Sequence, residues 1–171
     1  MIRTCGKLAS IAMVAALMIP VLIGQAKLNP ADLTLKKSLG SPTAPIKMEI
    51  FSDYQCPACR EMHLNTTRQL IDNYVASGKV YLIHHDFPLM MHPYSRVAAR
   101  WVNAAAAVGS FQAAETALYS KPDLWGTTGN VEQALATALP AAEMSKIRAM
   151  ELAQRPQLEA AVQSDMNLGN S

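Results

Sequence analysis

The chain has little charge, few aromatic side chains and no repeated unit. Only 16% of its 171 residues are charged and 6% are aromatic, whereas 50% are hydrophobic. This composition excludes a disordered chain, which combines high charge with low hydrophobicity. The lack of a repeat excludes collagen-like, coiled-coil and solenoid architectures. The length favours a single domain.

An excess of charge of one sign is also nearly absent. The formal net charge is +2, and this surplus comes from Arg3 and Lys7 near the N-terminus. Without these two residues the acidic and basic side chains balance, and no basic run remains. The sequence therefore gives no electrostatic reason to expect binding to nucleic acid.

Only one long hydrophobic run is present, at 8–23, and it follows the two N-terminal positive charges. Small residues at Gly24 and Ala26 fit a cleavage point before Lys27, as in an export signal. The run is shorter than the ~20 residues of a relaxed membrane span. We therefore expect residues 1–26 to be a cleaved signal peptide, with an uncleaved N-terminal anchor and a buried helix as the alternatives.

Cysteine is scarce as well. Cys5 lies within the signal segment, which leaves Cys56 and Cys59 for the rest of the chain. Two cysteines separated by two residues close a very short loop, so a disulfide between them gives little entropic stabilisation. The pair is therefore expected to serve chemistry rather than architecture.

Hydrophobic periodicity predicts one strand–helix–strand unit followed by helices. The segment 27–45 is interpreted as a polar lead-in, because its prolines and Gly40 are typical breakers. A period of two predicts a strand at 46–51, and a helical stripe follows from Pro57 to a C-cap at Gly78. A buried strand is expected at 80–87, parallel to the first. Further helices are predicted at 93–120 with a break near 108–110, at 131–139, at 141–152 and at 156–164.

The candidate chemistry lies at Cys56-Pro57-Ala58-Cys59, where a strand runs into a helix. The free N–H groups and positive end of that helix favour an anion, so Cys56 is expected to be thiolate-prone. Cys59, one turn further on, is the natural resolving thiol for a mixed disulfide formed by Cys56. We predict dithiol redox chemistry with Cys56 and Cys59 as the catalytic residues.

Two other readings of the pair remain open. One is a structural disulfide. The other is a metal half-site, because Cys56, Cys59 and His63 lie almost on one helical face and His84 or His85 would add a ligand. No second Cys-x-x-Cys motif completes a tetrahedral set, and no metal or other cofactor is predicted.

Other residues near the motif are expected to have no role in its chemistry. Asp53 and Glu61 flank it and would be suited to proton transfer from Cys59, but we expect solvated carboxylates. The residues Met90-Met91-His92 would suit a soft metal, but the two methionines are expected in the core or at an interface. His84 and His85 point to opposite sides of a strand, and Trp125 is expected in a loop, as a lid or a peptide contact.

The segments 44–60, 85–89 and 92–93, followed by an alanine-rich helix, resemble the DsbA-like thioredoxin family. The resemblance carries the Cys-Pro-Ala-Cys motif and the stretch Asp86-Phe87-Pro88-Leu89. It implies an α/β thioredoxin-like fold with an all-helical insertion at about 93–164. It also implies an exported protein that exchanges disulfides with other polypeptides, with Cys56 as the nucleophile and Cys59 as the resolving cysteine.

Two departures from the family pattern affect the expectations. The family's cis-proline loop, C-terminal β-hairpin and final helix have no counterpart here, so we expect a two-stranded sheet that lacks its hairpin. Strongly oxidising members carry histidine where this chain has Ala58, which leaves the redox direction open.

The expected function is that of an extracytoplasmic, periplasmic thiol:disulfide oxidoreductase acting on polypeptide thiols or disulfides. A membrane redox partner is expected to reset its site. The expected domains are a signal or anchor at 1–26, the lead-in at 27–45 and the redox domain at 46–171. The alternative function is an exported metal- or peptide-binding protein on a degenerate thioredoxin scaffold.

Overall fold

The computed structural model of the chain describes residues 27–171. The predicted signal peptide or anchor at 1–26 lies outside the described residues. Within 27–171, no helix is both long enough and apolar enough to cross a membrane.

A three-stranded mixed sheet organises the first half of this range. Its strands are β1 (Ser38–Leu39), β2 (Ile46–Ser52) and β3 (Val80–Asp86), in the order β1-β3-β2. Strands β2 and β3 run parallel, as predicted, whereas β1 is antiparallel to β3. The expected two-stranded sheet is therefore wrong, because a two-residue strand is too short to show a period of two in the sequence.

The segment interpreted as a lead-in also contains a helix, α1 (Pro30–Lys36). The side chain of Asn29 caps it by accepting a hydrogen bond from the Asp32 amide at 2.9 Å. Pro30 occupies the first helical turn, where its missing N–H costs nothing. The Asn29-Pro30 pair is therefore a helix start, and its interpretation as a loop breaker was wrong.

One continuous helix at 57–75, here called the cysteine helix, connects β2 to β3. It consists of α2 (Pro57–Glu61), a π-helical turn (Met62–Thr67), α3 (Arg68–Leu70) and a second π-helical turn (Ile71–Val75). The chain then turns at Gly78, whose φ of +73° is the left-handed conformation of a helix C-cap. The predicted helix and its glycine cap are both present.

The second half of the chain is helical, as predicted. The break between the first two helices falls at Val108–Ser110, as expected, and the final helix continues to Gly169, beyond the predicted end at Ser164. The helices are α4 (Ser95–Ala107), α5 (Phe111–Ser120), α6 (Pro122–Trp125), α7 (Val131–Leu135), α8 (Ala141–Ala153) and α9 (Arg155–Gly169).

Alanine explains how these helices pack. Ala98, Ala99 and Ala105 of α4 are fully buried beside Leu118 and Trp125. Small side chains let α4 contact α5, α8 and α9 closely. The main hydrophobic core therefore lies in the helical half of the chain.

A buried group of charges joins the sheet to the last helix. The Lys37 ammonium, 1% exposed, binds the carboxylates of Asp86 and Asp165, the latter at 2.7 Å. The Asn103 amide also donates to Asp86, at 2.8 Å. Burial alone would lower the pKa of Lys37, but attraction to the two carboxylates outweighs it and the pKa is raised. Lys37 is therefore a permanent cation that links β1, β3 and α9.

Replacing Lys37 should destabilise the fold strongly. Lys37→Met leaves two buried carboxylates without their counter-ion, which is expected to lower the free energy of unfolding by about 3–5 kcal/mol at neutral pH. Urea denaturation measures the loss. Lys36→Met, at the exposed neighbouring position, is the matched control and should change stability by less than about 0.5 kcal/mol. Equal midpoints for the two variants would contradict a structural role for Lys37.

Candidate active site

Cys56 and Cys59 lie where β2 runs into the cysteine helix. Cys56 is the N-cap residue, with an extended backbone (φ −74°, ψ 121°), and Pro57 occupies the first helical turn. No side chain caps this helix end, so its free amide groups are available to an anion at Cys56. Both thiols are free and partly buried.

The two thiols have different surroundings. Burial raises the pKa of Cys59, and its contact with the Cys56 thiol acts in the same direction. Hydrogen bonds from the Asp53 backbone and the Ser52 hydroxyl oppose this shift without cancelling it. At neutral pH Cys59 is therefore a protonated thiol that must lose its proton before it can attack a disulfide.

Asp53 is a buried structural anchor, and the expectation of a solvated carboxylate was wrong. It is 2% exposed. One of its oxygens accepts from the Leu89 amide at 2.7 Å and His92 Nδ1 at 2.8 Å, and the other accepts from the Gln55 amide and Ser95 Oγ. Its carboxylate therefore holds the 88–95 segment beside the cysteine motif and has no oxygen left for proton transfer.

Gln55 fastens a second segment to the motif. Its amide nitrogen donates to the Gly126 carbonyl at 2.9 Å, and its amide oxygen accepts from the Tyr94 backbone at 2.6 Å. Next to Gly126, Trp125 is completely buried and donates to the Leu118 carbonyl. Trp125 is thus a core residue, and its expected position as a lid or peptide contact was wrong.

The remaining flanking residues are at the surface. Glu61 is exposed, as expected, and accepts a hydrogen bond from Asn65. Met90 is fully exposed and Met91 is 79% exposed, so neither methionine belongs to the core. Their position at an interface stays a prediction.

The histidines of β3 point to opposite sides of the sheet, as predicted. His84 Nδ1 lies 2.9 Å from Glu115 of α5, whereas His85 contacts Asp165 and Glu49, each at 3.0 Å. The sequence analysis did not identify Glu115. An isolated glutamate on the buried face of an alanine-rich helix was the available signal, because such a charge needs a partner.

The proposed metal ligands do not form a set. Among residues 27–171, no group of three or more histidine, cysteine or acidic side chains is arranged to hold a metal ion. His63 instead stacks on Tyr119, with ring centroids 4.7 Å apart, and its Nδ1 lies 3.7 Å from Glu115.

A parallel strand pair joined by a helix that begins at a Cys-x-x-Cys motif, with an appended all-helical region, defines a thioredoxin-like fold with a helical insertion. A family model described as "Thioredoxin" matches residues 35–169. The chain belongs to the thioredoxin family, and its DsbA-like character predicted from the sequence is confirmed.

Solved structures of other proteins share this fold. BdbD from Bacillus subtilis is 20% identical with a TM-score of 0.63, over 78% of this chain and 74% of that chain. The α-DsbA1 protein of Wolbachia pipientis is 21% identical with a TM-score of 0.60, over 77% of this chain and 66% of that protein. A thioredoxin-like oxidoreductase from Silicibacter pomeroyi is 27% identical with a TM-score of 0.57, over 78% of this chain and 71% of that protein.

Curated relatives match a shorter segment. The "Probable disulfide bond formation protein D" of Bacillus cereus is 38% identical over 55 residues, which is 32% of this chain and 26% of the relative. The protein of the same description from Bacillus anthracis is also 38% identical over 55 residues. The match spans about a quarter of the length of these relatives.

Asp53→Asn should loosen the segment that Asp53 anchors. The substitution turns one acceptor oxygen into a donor that faces other donors, at a cost of about 1–3 kcal/mol. Amide hydrogen exchange at Leu89 should therefore accelerate about ten- to hundredfold. Glu61→Gln, on the exposed side of the motif, is the control and should leave that exchange rate unchanged. Unaltered protection at Leu89 in Asp53→Asn would show that the segment is held by other contacts.

The two thiols should differ in reactivity. The raised pKa of Cys59 and the position of Cys56 at the helix entrance predict that iodoacetamide modifies Cys56 first at mildly acidic pH. Mass mapping after limited alkylation of the reduced chain gives the order. Earlier labelling of Cys59 would reverse the assignment of the two roles.

Proposed function

We propose that this protein is an extracytoplasmic thiol:disulfide oxidoreductase that exchanges disulfides with polypeptide clients through Cys56 and Cys59. The observation that carries the proposal is the position of Cys56 at an uncapped helix N-terminus, with a second free thiol one turn away. Free helix amides stabilise a thiolate, and a neighbouring thiol resolves the mixed disulfide that this thiolate forms.

The reaction runs in two exchange steps. The Cys56 thiolate attacks a client disulfide, forms a bond to one client sulfur and releases the other as a thiolate. The Cys59 thiolate then attacks the Cys56 sulfur and displaces the second client sulfur. The client gains two electrons and the Cys56–Cys59 pair becomes a disulfide. The same steps in reverse oxidise a client dithiol, and the direction depends on the redox partner.

The relatives support this proposal by their names. The curated ones are described as proteins of disulfide bond formation, and structural neighbours include a thiol-disulfide exchange protein, α-DsbA2 of Wolbachia pipientis. We accordingly propose a membrane redox partner that resets the cysteine pair. The sequence of residues 1–26 supports export to the periplasm as a signal peptide or anchor, ahead of a lead-in at 27–45 and a redox domain at 46–171.

Substitution of the two cysteines tests the activity. The full chain should reduce insulin or oxidise reduced ribonuclease, and Cys56→Ser should abolish both reactions. Cys59→Ser should accumulate mixed disulfides with the client, visible on non-reducing gels, because the resolving thiol is gone. Cys5→Ser is the matched control and should retain full activity.

Two outcomes would contradict the proposal. If Cys56→Ser retained both reactions, the activity would belong to other groups. No thiol exchange in the unsubstituted chain, together with stoichiometric metal in the purified protein, would favour the metal-binding alternative instead.

A further inference from the structure

Two cavities lie under the cysteine helix. The inner one is a buried cavity of about 20 Å³ between this helix and the sheet, lined by Ser52, His63, His84 and Glu115 among others. Its volume suits one water molecule. The outer one is a cleft of about 240 Å³ whose lining includes the exposed side chain of Arg68. His63 and Glu115 line both, and so form the wall between the inner cavity and the surface.

Ser52 connects Cys59 to the inner cavity. Its side chain acts to lower the pKa of Cys59 and lines the cavity, and its hydroxyl lies 2.7 Å from the Tyr119 hydroxyl. His63 follows Cys59 by one helical turn, and its ring lies against Tyr119. Ser52 and His63 therefore line the same inner cavity.

The charges around the cavity leave one neutral base. Attraction to Glu115 and Asp86 overcomes the effect of burial and raises the pKa of His84 to about 9. His84 is thus a cation at neutral pH and serves as the counter-ion of Glu115. Burial lowers the pKa of His63, assisted by His84 and Arg68 and opposed by Glu115. His63 is accordingly a neutral imidazole at neutral pH.

Two other groups near His63, Lys37 and Tyr119, are not available as acceptors. Lys37 is a cation engaged by two carboxylates, and burial raises the pKa of Tyr119, which keeps it protonated. The titratable groups that face His63 or share its cavities are Glu115 and Tyr119 of α5, His84 of β3, Lys37 beside β1, and Arg68 and Asp72 of the cysteine helix.

We propose that His63 accepts the Cys59 proton through Ser52 and a water molecule in the inner cavity, while Glu115 positions His63. The proposal rests on the proposed function. As the Cys59 S–H bond breaks, the proton moves to the His63 imidazole and the electron pair stays on sulfur. The resulting thiolate bonds to the Cys56 sulfur and displaces the client thiolate. The His63 imidazolium, held by the Glu115 carboxylate, then returns its proton to solvent through the outer cleft.

The test follows only the resolving step, in which Cys59 attacks the mixed disulfide at Cys56. The full chain is converted to a mixed disulfide between Cys56 and glutathione, and release of glutathione by Cys59 is timed across a pH series. In the unsubstituted protein the rate should level off once His63 is neutral. In His63→Gln it should fall about 100-fold at neutral pH and rise about tenfold per pH unit, because hydroxide must remove the proton.

His85→Gln is the matched control. It removes a buried imidazole of β3 whose ring contacts Glu49 and Asp165, away from the inner cavity, and should keep the unsubstituted pH profile. A merely structural role for His63 would alter the melting temperature but not the shape of the profile. Alkylation of Cys56 should proceed at the same rate in both histidine variants.

A second variant covers the case in which His63→Gln does not fold. Ser52→Ala makes a small side chain smaller and interrupts the link between Cys59 and the cavity, so its profile should match that expected for His63→Gln. A level profile at neutral pH in either folded variant would overturn the proposal. Absence of glutathione exchange at Cys56 in the unsubstituted chain would instead be a failure of the proposed function.

Discussion

The end of the central strand imposes the main constraint on this structure. His84, His85 and Asp86 follow one another in β3, and each is less than a tenth exposed. A buried charge is tolerated only when it is paired and hydrogen-bonded. Three consecutive ionisable residues therefore require partners on both faces of the sheet, and the fold supplies them from elements far apart in the sequence, with Lys37 and Asp165 separated by 128 residues.

Alternation along the strand divides these partners into two groups. His84 points towards the cysteine helix and pairs with Glu115, whereas His85 meets Asp165 and Glu49 on the opposite face. Lys37 joins the two groups, because it binds Asp165 of α9 and also Asp86, whose carboxylate lies 3.7 Å from His84. One strand thus combines an architectural ion cluster with a polar cavity, because successive side chains of a strand face opposite sides.

Local features were predictable because their causes are local. The motif at Cys56 and Cys59, the helix that follows it and the turn at Gly78 each depend on neighbouring residues alone. Asp53 and Trp125 were misassigned because their surroundings come from distant segments: the 88–95 segment closes over the first and the helical core over the second. The burial of a side chain depends on segments that are distant in the sequence, so local sequence patterns do not predict it.

The helical insertion packs directly against the cysteine helix. Its helix α5 presents Glu115, Thr116 and Tyr119 to the face of the cysteine helix that carries His63. The carboxylate that holds the cation of His84 and the aromatic ring that supports His63 therefore both come from the insertion. The strand and helix of the motif place the two thiols, while the insertion supplies a carboxylate and an aromatic ring beneath the cysteine helix. Cys59 is buried enough to retain its proton, and the same burial keeps a neutral imidazole within one helical turn of it.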